Sequence, residues 1–404
     1  MHLLTKIKEM KKLVLAYSGG LDTSYCAKYL SADMGFEVHA VTVNTGGFNT
    51  TDLQEMEEKA HALGAHTFKA IDGVEIFYQK VVKYLIFGNV LKNNTYPLSV
   101  SAERIVQALE LIAYAKEVGA SHIAHGSTGA GNDQVRFDLI FSVLAPEITI
   151  ITPIRDLQLS REQEIDYLNS KGISYSWEKA KYSINKGLWG TSVGGVETLG
   201  SKDPLPEVAY PSPLVATAPK TVALLFERGE LIGIDGVLGA PVSQIQKLEK
   251  IASDYAIGRD IHVGDTIIGI KGRVGFEAAA ALIIIKAHGL LEKHCLSKWQ
   301  LHQKDSLSSL YGMLLHEGQY LDPVLRNTEA FLTDSQKTVN GTVFVSLYPY
   351  RFTLDGIASE NDLMGAGFGT YGEENNAWSA QDAKGFIKVL SNAGRIYKHV
   401  NDVK

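Results

Sequence analysis

The residues best suited to chemistry stand together at positions 13–24, which read LVLAYSGGLDTS. An apolar run typical of a buried strand leads into Ser18-Gly19-Gly20, and a helix is predicted to begin at about Asp22. The glycines allow a tight turn, and Ser18, Thr23 and Ser24 offer hydroxyl groups. Because a helix N-terminus also directs free N–H groups outward, the pattern predicts a loop that binds an anion such as phosphate.

This loop differs from two other phosphate-binding patterns. No lysine follows its glycines as in GxxxxGK[ST], and the spacing does not fit GxGxxG, so a P-loop kinase and a Rossmann dehydrogenase are both disfavoured. Asp22 stands where a carboxylate could hold a Mg²⁺ ion that bridges phosphate groups. The structural alternative for Asp22 is an acidic residue in the first helical turn, which the helix dipole alone favours.

A second polar motif at positions 125–137, HGSTGAGNDQVRF, follows the fourth predicted strand, at the edge where open α/β sheets bind ligands. Its three glycines permit close approach of the backbone to a ligand. Thr128, Asn132 and Asp133 offer donors and acceptors together, and Arg136 follows one helical turn after Asn132. This mixture suits an amino acid zwitterion, with Asp133 as the partner of an α-ammonium group. The structural alternative is a capped turn with Arg136 in a surface ion pair.

A parallel sheet would bring these two motifs to one edge. Between Lys12 and about Gly172, short β-branched runs alternate with helical patterns, and a capping box of Ser160 and Gln163 opens the last helix. The predicted strands are residues 12–17, 37–43, 67–71, 122–125 and 148–151. The first part of the chain is therefore predicted to be an α/β domain with a doubly wound, mostly parallel sheet.

The second part of the chain follows a different pattern. Five of the eleven prolines crowd into positions 204–219, which is typical of a connector. Beyond it we predict strands at 221–226, 230–234 and 342–347, the last after an Asn340-Gly341 hairpin turn, and a helical pattern in the last thirty residues. We thus predict a nucleotide-binding domain at 1–172, an α+β domain at 173–375 and a C-terminal helical oligomerisation arm at 376–404.

The composition disfavours several classes of protein. The 404 residues carry a net charge of −6, which argues against a nucleic-acid coat or a polybasic membrane patch. The two cysteines, Cys26 and Cys295, form no CxxC motif, so neither a disulfide framework nor a cysteine zinc site is indicated. The longest apolar run, residues 278–285, is far shorter than the roughly 20 residues that span a bilayer. No secretory signal is recognisable, and we expect a cytoplasmic protein that binds neither nucleic acid nor membrane.

Three motifs carry a resemblance to known enzymes. The stretch Ser18-Gly-Gly-Leu-Asp-Thr-Ser24 resembles the loop of the ATP pyrophosphatase superfamily, whose members cleave ATP between the α and β phosphates. The motif at 125–137 and the stretch YSINKGLWG at 182–190 resemble the argininosuccinate synthase family, with weaker matches at 96–101, 257–259 and 271–273. The resemblance implies a ligase of arginine biosynthesis that joins citrulline and aspartate. It implies ATP and Mg²⁺, a citrullyl-adenylate, release of AMP and pyrophosphate, and a homotetramer.

The resemblance also implies which residues contact each substrate. ATP contacts are expected at Ala16, Tyr17, Ser18, Gly19, Gly20, Leu21, Asp22, Thr23, Ser24, Val43 and Gly126. Citrulline contacts are expected at Tyr96, Ser101, Asn132, Arg136, Ser183 and Ser192, and aspartate contacts at Thr128, Asn132 and Asp133. No side chain is expected to act as a nucleophile. Ser18, Asp22, Ser24 and Asp133 are expected to position the reactants, with Asp22 near a Mg²⁺ ion held by phosphates.

Four positions depart from the family pattern. Val100 replaces a threonine, Ala130 a lysine and Phe276 a tyrosine, and Gly264 replaces a glutamate that could neutralise the α-ammonium of citrulline. A buried cation without a partner is costly, so two interpretations stay open. Either Asp265 takes over from the neighbouring position, or the acceptor is a citrulline acylated on its α-amine, for which the glycine would leave room.

Two further alternatives are more distant. A tRNA-modifying ATP pyrophosphatase is disfavoured because sulfur transfer requires well-placed cysteines and RNA binding requires a basic face. A nucleotide-binding sensor without turnover would keep the Ser18 loop but would have no use for Asn132, Asp133 and Arg136.

Overall fold

A computed structural model describes residues 10–175, 182–368 and 377–402 of the chain. These residues form a parallel five-stranded sheet, then two antiparallel sheets with their helices, and finally two C-terminal helices. The predicted fold class, a parallel α/β sheet followed by an α+β part and C-terminal helices, is therefore confirmed.

The first sheet has the strand order β3-β2-β1-β4-β5, and its neighbouring strands are parallel. Its strands are β1 (Lys12–Ala16), β2 (Glu37–Asn44), β3 (Thr67–Asp72), β4 (His122–Ala124) and β5 (Thr149–Ile151). Leu13 and Leu15 join one apolar cluster and Val14 joins another, because successive side chains point to opposite faces. Both faces of the central strand are thus covered. The predicted bounds of all five strands agree within one residue.

Helices of the first part pack around this sheet. They are α1 (Leu21–Ala32), α2 (Thr50–Ala62), α3 (Val74–Phe77), α4 (Lys83–Phe87), α5 (Glu103–Glu117), α6 (Asp133–Leu144), α7 (Pro153–Asp156) and α8 (Arg161–Ser170), with a π-helical turn at Tyr78–Val82. The predicted capping box is present, since Ser160 and Gln163 exchange side-chain and backbone hydrogen bonds at the start of α8. The same helix ends two residues before Gly172, whose φ is +77°.

The second part contains the two antiparallel sheets, with orders β11-β12-β7-β6 and β10-β9-β8-β13-β14. Its strands are β6 (Ser183–Gly187), β7 (Gly190–Gly194), β8 (Lys220–Glu227), β9 (Glu230–Ile234), β10 (Val237–Leu238), β11 (Arg259–Asp265), β12 (Lys271–Glu277), β13 (Gly341–Tyr348) and β14 (Arg351–Ala358). Its helices are α9 (Pro241–Ser253), α10 (Ala279–Cys295), α11 (Lys298–His316) and α12 (Pro323–Ser335), followed by α13 (Ala380–Leu390) and α14 (Asn392–Asn401).

The predicted hairpin turn at Asn340-Gly341 is wrong. A 3₁₀ turn at Gln336–Thr338 precedes β13, so no strand leads into Asn340. Asn340 instead accepts a hydrogen bond from the backbone N–H of Arg228 (2.7 Å), which ties it to the turn between β8 and β9. The hairpin that contains β13 reverses at its other end, where Tyr350 adopts φ +64° between β13 and β14.

Helices α10 and α11 hold a buried ion pair. Glu292 and Lys304 have no exposed surface, and their charged atoms lie 2.7 Å apart. Asn89 donates to the same carboxylate oxygen, Oε2 (2.6 Å), and Gln336 donates to the other, Oε1 (2.9 Å), so both oxygens of Glu292 have polar partners. In the ranges that the structure describes, no helix is both long and apolar enough to cross a membrane.

Candidate active site

A cavity of about 920 Å³ lies between the first sheet and the β11-β12-β7-β6 sheet. The predicted site residues that border it are Ala16, Tyr17, Ser18, Gly20, Leu21, Asp22, Thr23, Val43, Tyr96, Ser101, Gly126, Thr128, Asn132, Asp133, Arg136, Ser183 and Ser192. Two further predicted residues, Gly19 and Ser24, do not border it. The two polar motifs of the first part and two serines of the second part therefore face one space.

The Ser18 loop joins β1 to α1 and is braced by its own hydrogen bonds. Ser18 donates its N–H to Thr23 Oγ1 (3.3 Å), and this hydroxyl donates to the Gly20 carbonyl (3.3 Å). Gly20 is the N-cap of α1 and has no side chain to cap the first turn, so the N–H groups of that turn are available to an anion. Gly126 lies against this turn, since a Cβ there would come within 3.2 Å of Thr23 N. Glycine at 126 lets the second motif approach the loop closely.

Gly19 and Ser24 face away from the cavity for local reasons. Gly19 adopts φ +74°, and a Cβ on it would lie 3.2 Å from Met56 Cγ, so its open side meets α2. Lys59 donates to the Gly19 carbonyl (2.6 Å), which fixes the loop against the same helix. Ser24 lies inside α1 with no exposed surface, and its N–H donates to the Gly20 carbonyl.

Asp22 has a second carboxyl group beside it. Glu164 of α8 is buried, and burial, followed by the neighbouring Asp22, raises the pKa of Glu164 to about 8. Glu164 therefore keeps its proton to a higher pH than an ordinary glutamate does. No group of three or more His, Cys, Asp or Glu side chains suited to a metal ion occurs among the described residues.

Asp133 is held between two guanidinium groups. It accepts from Arg104 Nε (2.9 Å) and from Arg136 Nη1 (2.8 Å). Burial alone would raise the pKa of Asp133, but Arg104 and Arg136 outweigh burial and lower it to about 2. Arg136 also donates to the His316 carbonyl from Nε (3.0 Å) and Nη2 (2.9 Å). Both carboxylate oxygens of Asp133 are thus already engaged, and a substrate ammonium would have to share them.

His125 directly follows β4, and both of its ring nitrogens have hydrogen-bond partners. Its Nδ1 accepts from the N–H of Ser127 (3.2 Å), and its Nε2 lies 2.8 Å from Asp138, which Arg155 also contacts (2.6 Å). Because Nδ1 accepts, Nε2 carries the proton and donates to Asp138. The two ring contacts of His125 tie the start of the second motif to Asp138 of α6.

Several cavity residues were not predicted from the sequence. They are Thr45, Glu103, Arg104, Gln107, Arg161, Asn185, Lys186, His262, Arg273 and His316. Arg104 lies in the first turn of α5, three residues after the predicted Ser101, and this proximity could have suggested it. His262 precedes Gly264 by two residues, and the alternation of a strand places both on one face of β11. His316 is separated from Arg136 by 180 positions, and no local signal points to it.

Comparison with known proteins decides the family. The family model described as the arginosuccinate synthase N-terminal HUP domain matches residues 12–174, and the arginosuccinate synthase C-terminal domain matches residues 182–397. The chain belongs to the argininosuccinate synthase family. Argininosuccinate synthase of Dictyoglomus thermophilum is 37% identical over 96% of this chain and 97% of the relative. Those of Pyrococcus furiosus and Xylella fastidiosa are 38% and 34% identical, over 94% and 97% of this chain and 92% and 98% of the relatives.

The family pattern makes the surroundings of Gly264 informative. Gly264 borders the cavity, but a Cβ on it would lie 2.7 Å from His262 Nε2 and 3.1 Å from Asn93 Nδ2. The space beside the glycine is therefore taken by an imidazole and an amide. The expectation that Gly264 leaves room for an acyl group is not met.

The other departures from the family pattern differ in position. Asp265 borders the cavity, but its carboxylate is paired with Lys271 (2.7 Å) and 64% of its side chain is exposed. Phe276 is fully buried, packs against Tyr96 at 5.3 Å between ring centroids and does not border the cavity. Val100 borders the cavity, and its N–H donates to the Tyr96 hydroxyl (3.3 Å).

Proposed function

We propose that this chain joins citrulline to aspartate with ATP and forms argininosuccinate, AMP and pyrophosphate, as a step of arginine biosynthesis. One observation carries the proposal: the Ser18 loop and the Asn132-Asp133-Arg136 group border the same cavity. An anion-binding loop supplies the phosphate end, and the mixed polar group supplies the amino acid end. The names of the relatives support the same reaction.

The reaction consists of two displacements. The ureido oxygen of citrulline attacks the α-phosphorus of ATP, and pyrophosphate leaves with the electron pair of the broken P–O bond. The amine of aspartate then attacks the adenylated carbon, loses a proton, and AMP leaves. We assign the phosphates to the N–H groups of the Ser18 loop and the nucleoside to the side of Val43 and Gly126. Positioning and charge stabilisation supply the rate, since the proposal assigns no nucleophile to the protein.

The amino acids are assigned to the polar walls of the cavity. For citrulline we propose contacts with Tyr96, Ser101, Asn132, Arg136, Ser183 and Ser192, and for aspartate contacts with Thr128, Asn132 and Asp133. Arg136 supports its assignment, because it is buried and its guanidinium is oriented by Asp133 and the His316 carbonyl. A guanidinium fixed in this way is suited to a carboxylate.

We also propose that Mg²⁺ enters with the phosphates of ATP. Asp22 borders the cavity at the Ser18 loop and provides one carboxylate. Mg²⁺ commonly keeps several waters and binds to one or two carboxylates together with substrate phosphates, so this donor set fits the ion. The ion would neutralise charge on the pyrophosphate leaving group.

Free citrulline is the acceptor that we propose. The names of the relatives do not favour an N-acylated citrulline, and the space beside Gly264 is filled by His262 and Asn93. A tRNA-modifying activity is not favoured by the family either.

Pyrophosphate release tests the proposed reaction. ATP is supplied with citrulline, N-acetylcitrulline, N-succinylcitrulline or transfer RNA, each with and without aspartate, and argininosuccinate is identified by mass spectrometry. We expect sustained release only with ATP, citrulline and aspartate together. A tenfold preference for an acylated citrulline would show that free citrulline is not the acceptor. Pyrophosphate release with transfer RNA would contradict the proposed function.

We further propose a cytoplasmic homotetramer. Cys26 and Cys295 are both buried and unpaired, which suits a reducing compartment. Phe386 and Ile387 on α13 are mostly exposed, and an exposed apolar face on a terminal helix suits a subunit contact. Light scattering should give the mass of four chains, and a double change to aspartate at Phe386 and Ile387 should lower it. The same charge placed at Lys384 of that helix is the control.

A further inference from the structure

Three buried polar atoms that border the cavity have no hydrogen-bond partner within the described ranges. They are Ser101 Oγ, His262 Nδ1 and His316 Nε2, on residues that are 8%, 6% and 7% exposed. An unpaired buried polar atom costs free energy, and native proteins pair nearly all of them. Their position on one cavity suggests that a ligand supplies the missing partners.

The proton on His316 can be located from its neighbour. Arg136 Nη2 lies 3.4 Å from His316 Nδ1, and a guanidinium can only donate. Nδ1 of the neutral ring must therefore accept, which leaves the proton on Nε2. Burial lowers the pKa of His316 to about 4, and the nearby Arg136, Lys92 and His262 add to this effect. The Asp265 backbone acts in the opposite direction. At neutral pH this ring carries no charge, and its N–H interacts with the Asp265 backbone without a hydrogen bond of normal geometry.

His262 is fixed next to the predicted citrulline residues. Its ring stacks on Tyr96 with 5.2 Å between centroids and an angle of 26°. Its Nε2 fills the space that a side chain at position 264 would need, so glycine there is a condition for this placement. Burial, followed by Lys92, lowers the pKa of His262, so this ring is also neutral at pH 7.

The charges around the two histidines favour an anion. Lys92 and Arg136 are the cations that act on the rings. The nearby carboxylates are already paired: Asp133 with Arg104 and Arg136, and Asp265 with Lys271. A substrate ammonium at this position would meet two cations and, within the described part of the chain, no free carboxylate of the residues named above. A substrate carboxylate would find N–H and O–H donors together with a favourable field.

We propose that His316 and His262 are specificity-determining residues that, together with Ser101, bind the α-carboxylate of the acceptor amino acid. The inference rests on the proposed function, since it assigns one end of the citrulline in that same cavity. At position 264, where the family pattern has a glutamate, this chain has a glycine. The proposal assigns recognition of the acceptor there to His262, two residues away, so that neutral donors stand in place of a carboxylate.

Two acceptor analogues separate the carboxylate from the ammonium. 5-Ureidopentanoate keeps the carboxylate and lacks the amine, whereas 4-ureidobutylamine keeps the amine and lacks the carboxylate. Inhibition constants of both against citrulline are measured by pyrophosphate release. We expect His316→Leu and His262→Phe to raise the KM of citrulline and the inhibition constant of 5-ureidopentanoate at least tenfold. For 4-ureidobutylamine the change should be under twofold.

Controls separate recognition from folding. His302→Gln changes an exposed histidine on the same helix as His316 and should leave all constants unchanged. His316→Gln keeps an N–H donor and should recover part of the preference for 5-ureidopentanoate. Equal losses for both analogues, or a loss confined to 4-ureidobutylamine, would overturn the assignment. If the wild-type chain releases no pyrophosphate with citrulline and aspartate, the proposed function itself fails.

Discussion

Substitution of Gly20 should separate ATP binding from folding. Gly20 has φ −71°, and the nearest atom to an added Cβ is Ser18 Oγ at 3.5 Å, an ordinary contact. Alanine is a poorer N-cap than glycine, but it also restricts the unfolded chain, an effect worth about 0.4–1 kcal/mol in the opposite sense. The free energy of unfolding of Gly20→Ala should therefore stay within about 1 kcal/mol of wild type.

Gly19→Ala is the matched control in the same loop. Gly19 adopts φ +74°, where a residue with a Cβ costs about 1–2 kcal/mol, and Met56 Cγ at 3.2 Å would also have to move. Because Gly19 does not border the cavity, its substitution should act mainly on stability. Gly20→Ala should thus change ATP affinity, whereas Gly19→Ala should change the free energy of unfolding.

Urea unfolding and calorimetric ATP titration measure the two properties. For Gly20→Ala we expect ATP affinity to fall at least tenfold, about 1.4 kcal/mol, because the new methyl group projects where phosphate must approach the backbone. For Gly19→Ala we expect a loss of about 1–2 kcal/mol in the free energy of unfolding. If Gly20→Ala binds ATP as wild type does, the Ser18 loop is not the phosphate site.

Three other changes test the charged groups. Asp133→Asn should raise the KM of both amino acids about tenfold, since it weakens charge-assisted bonds to Arg104 and Arg136, typically about 1.5–3 kcal/mol each; an effect on aspartate alone would contradict this. Burial raises the pKa of Glu103 from 4.5 to about 7, so its contribution to stability is full below pH 4.5 and is lost as the pH rises through 7. The difference in free energy of unfolding between Glu103→Gln and wild type, measured by urea titration, should therefore shift by about 3 kcal/mol in favour of the variant between pH 4.5 and pH 8. Lys304→Met should cost about 3–5 kcal/mol because it leaves the buried Glu292 carboxylate without its cation, and adding Glu292→Leu should restore part of this loss.

The first sheet could be predicted because its signals are local. Each strand is a short β-branched run between helical patterns, and Ser160 with Gln163 marks a helix start by itself. The edge of a parallel sheet then follows from general rules, which is why the motifs at Ser18 and at His125 were expected to meet. In these parts the sequence pattern and the tertiary structure require the same conformation.

The second part depends on contacts between distant positions. Asn340 looks like a hairpin residue, but a hydrogen bond to Arg228 in a separate turn determines its role. His316 reaches the cavity only because α11 ends where Arg136 can donate to its carbonyl. Gly264 suggested open space from its size alone, and the neighbouring imidazole of His262 reverses that inference. Neither composition nor periodicity indicates any of these contacts.

A continuous chain of charged and polar groups borders the cavity. Thr45, just after β2, donates to Glu103 (2.7 Å), Glu103 pairs with Arg104 (2.9 Å), and Arg104 pairs with Asp133. Asp133 in turn holds Arg136, which donates to the His316 carbonyl at the end of α11. The proposed reaction needs the ureido oxygen and the α-phosphorus within roughly 3–3.5 Å, and a displacement of about 1 Å can cost a hundredfold in rate. A chain of partly buried, charge-assisted bonds fixes that separation better than apolar packing, because each member is held by donors or acceptors of defined geometry.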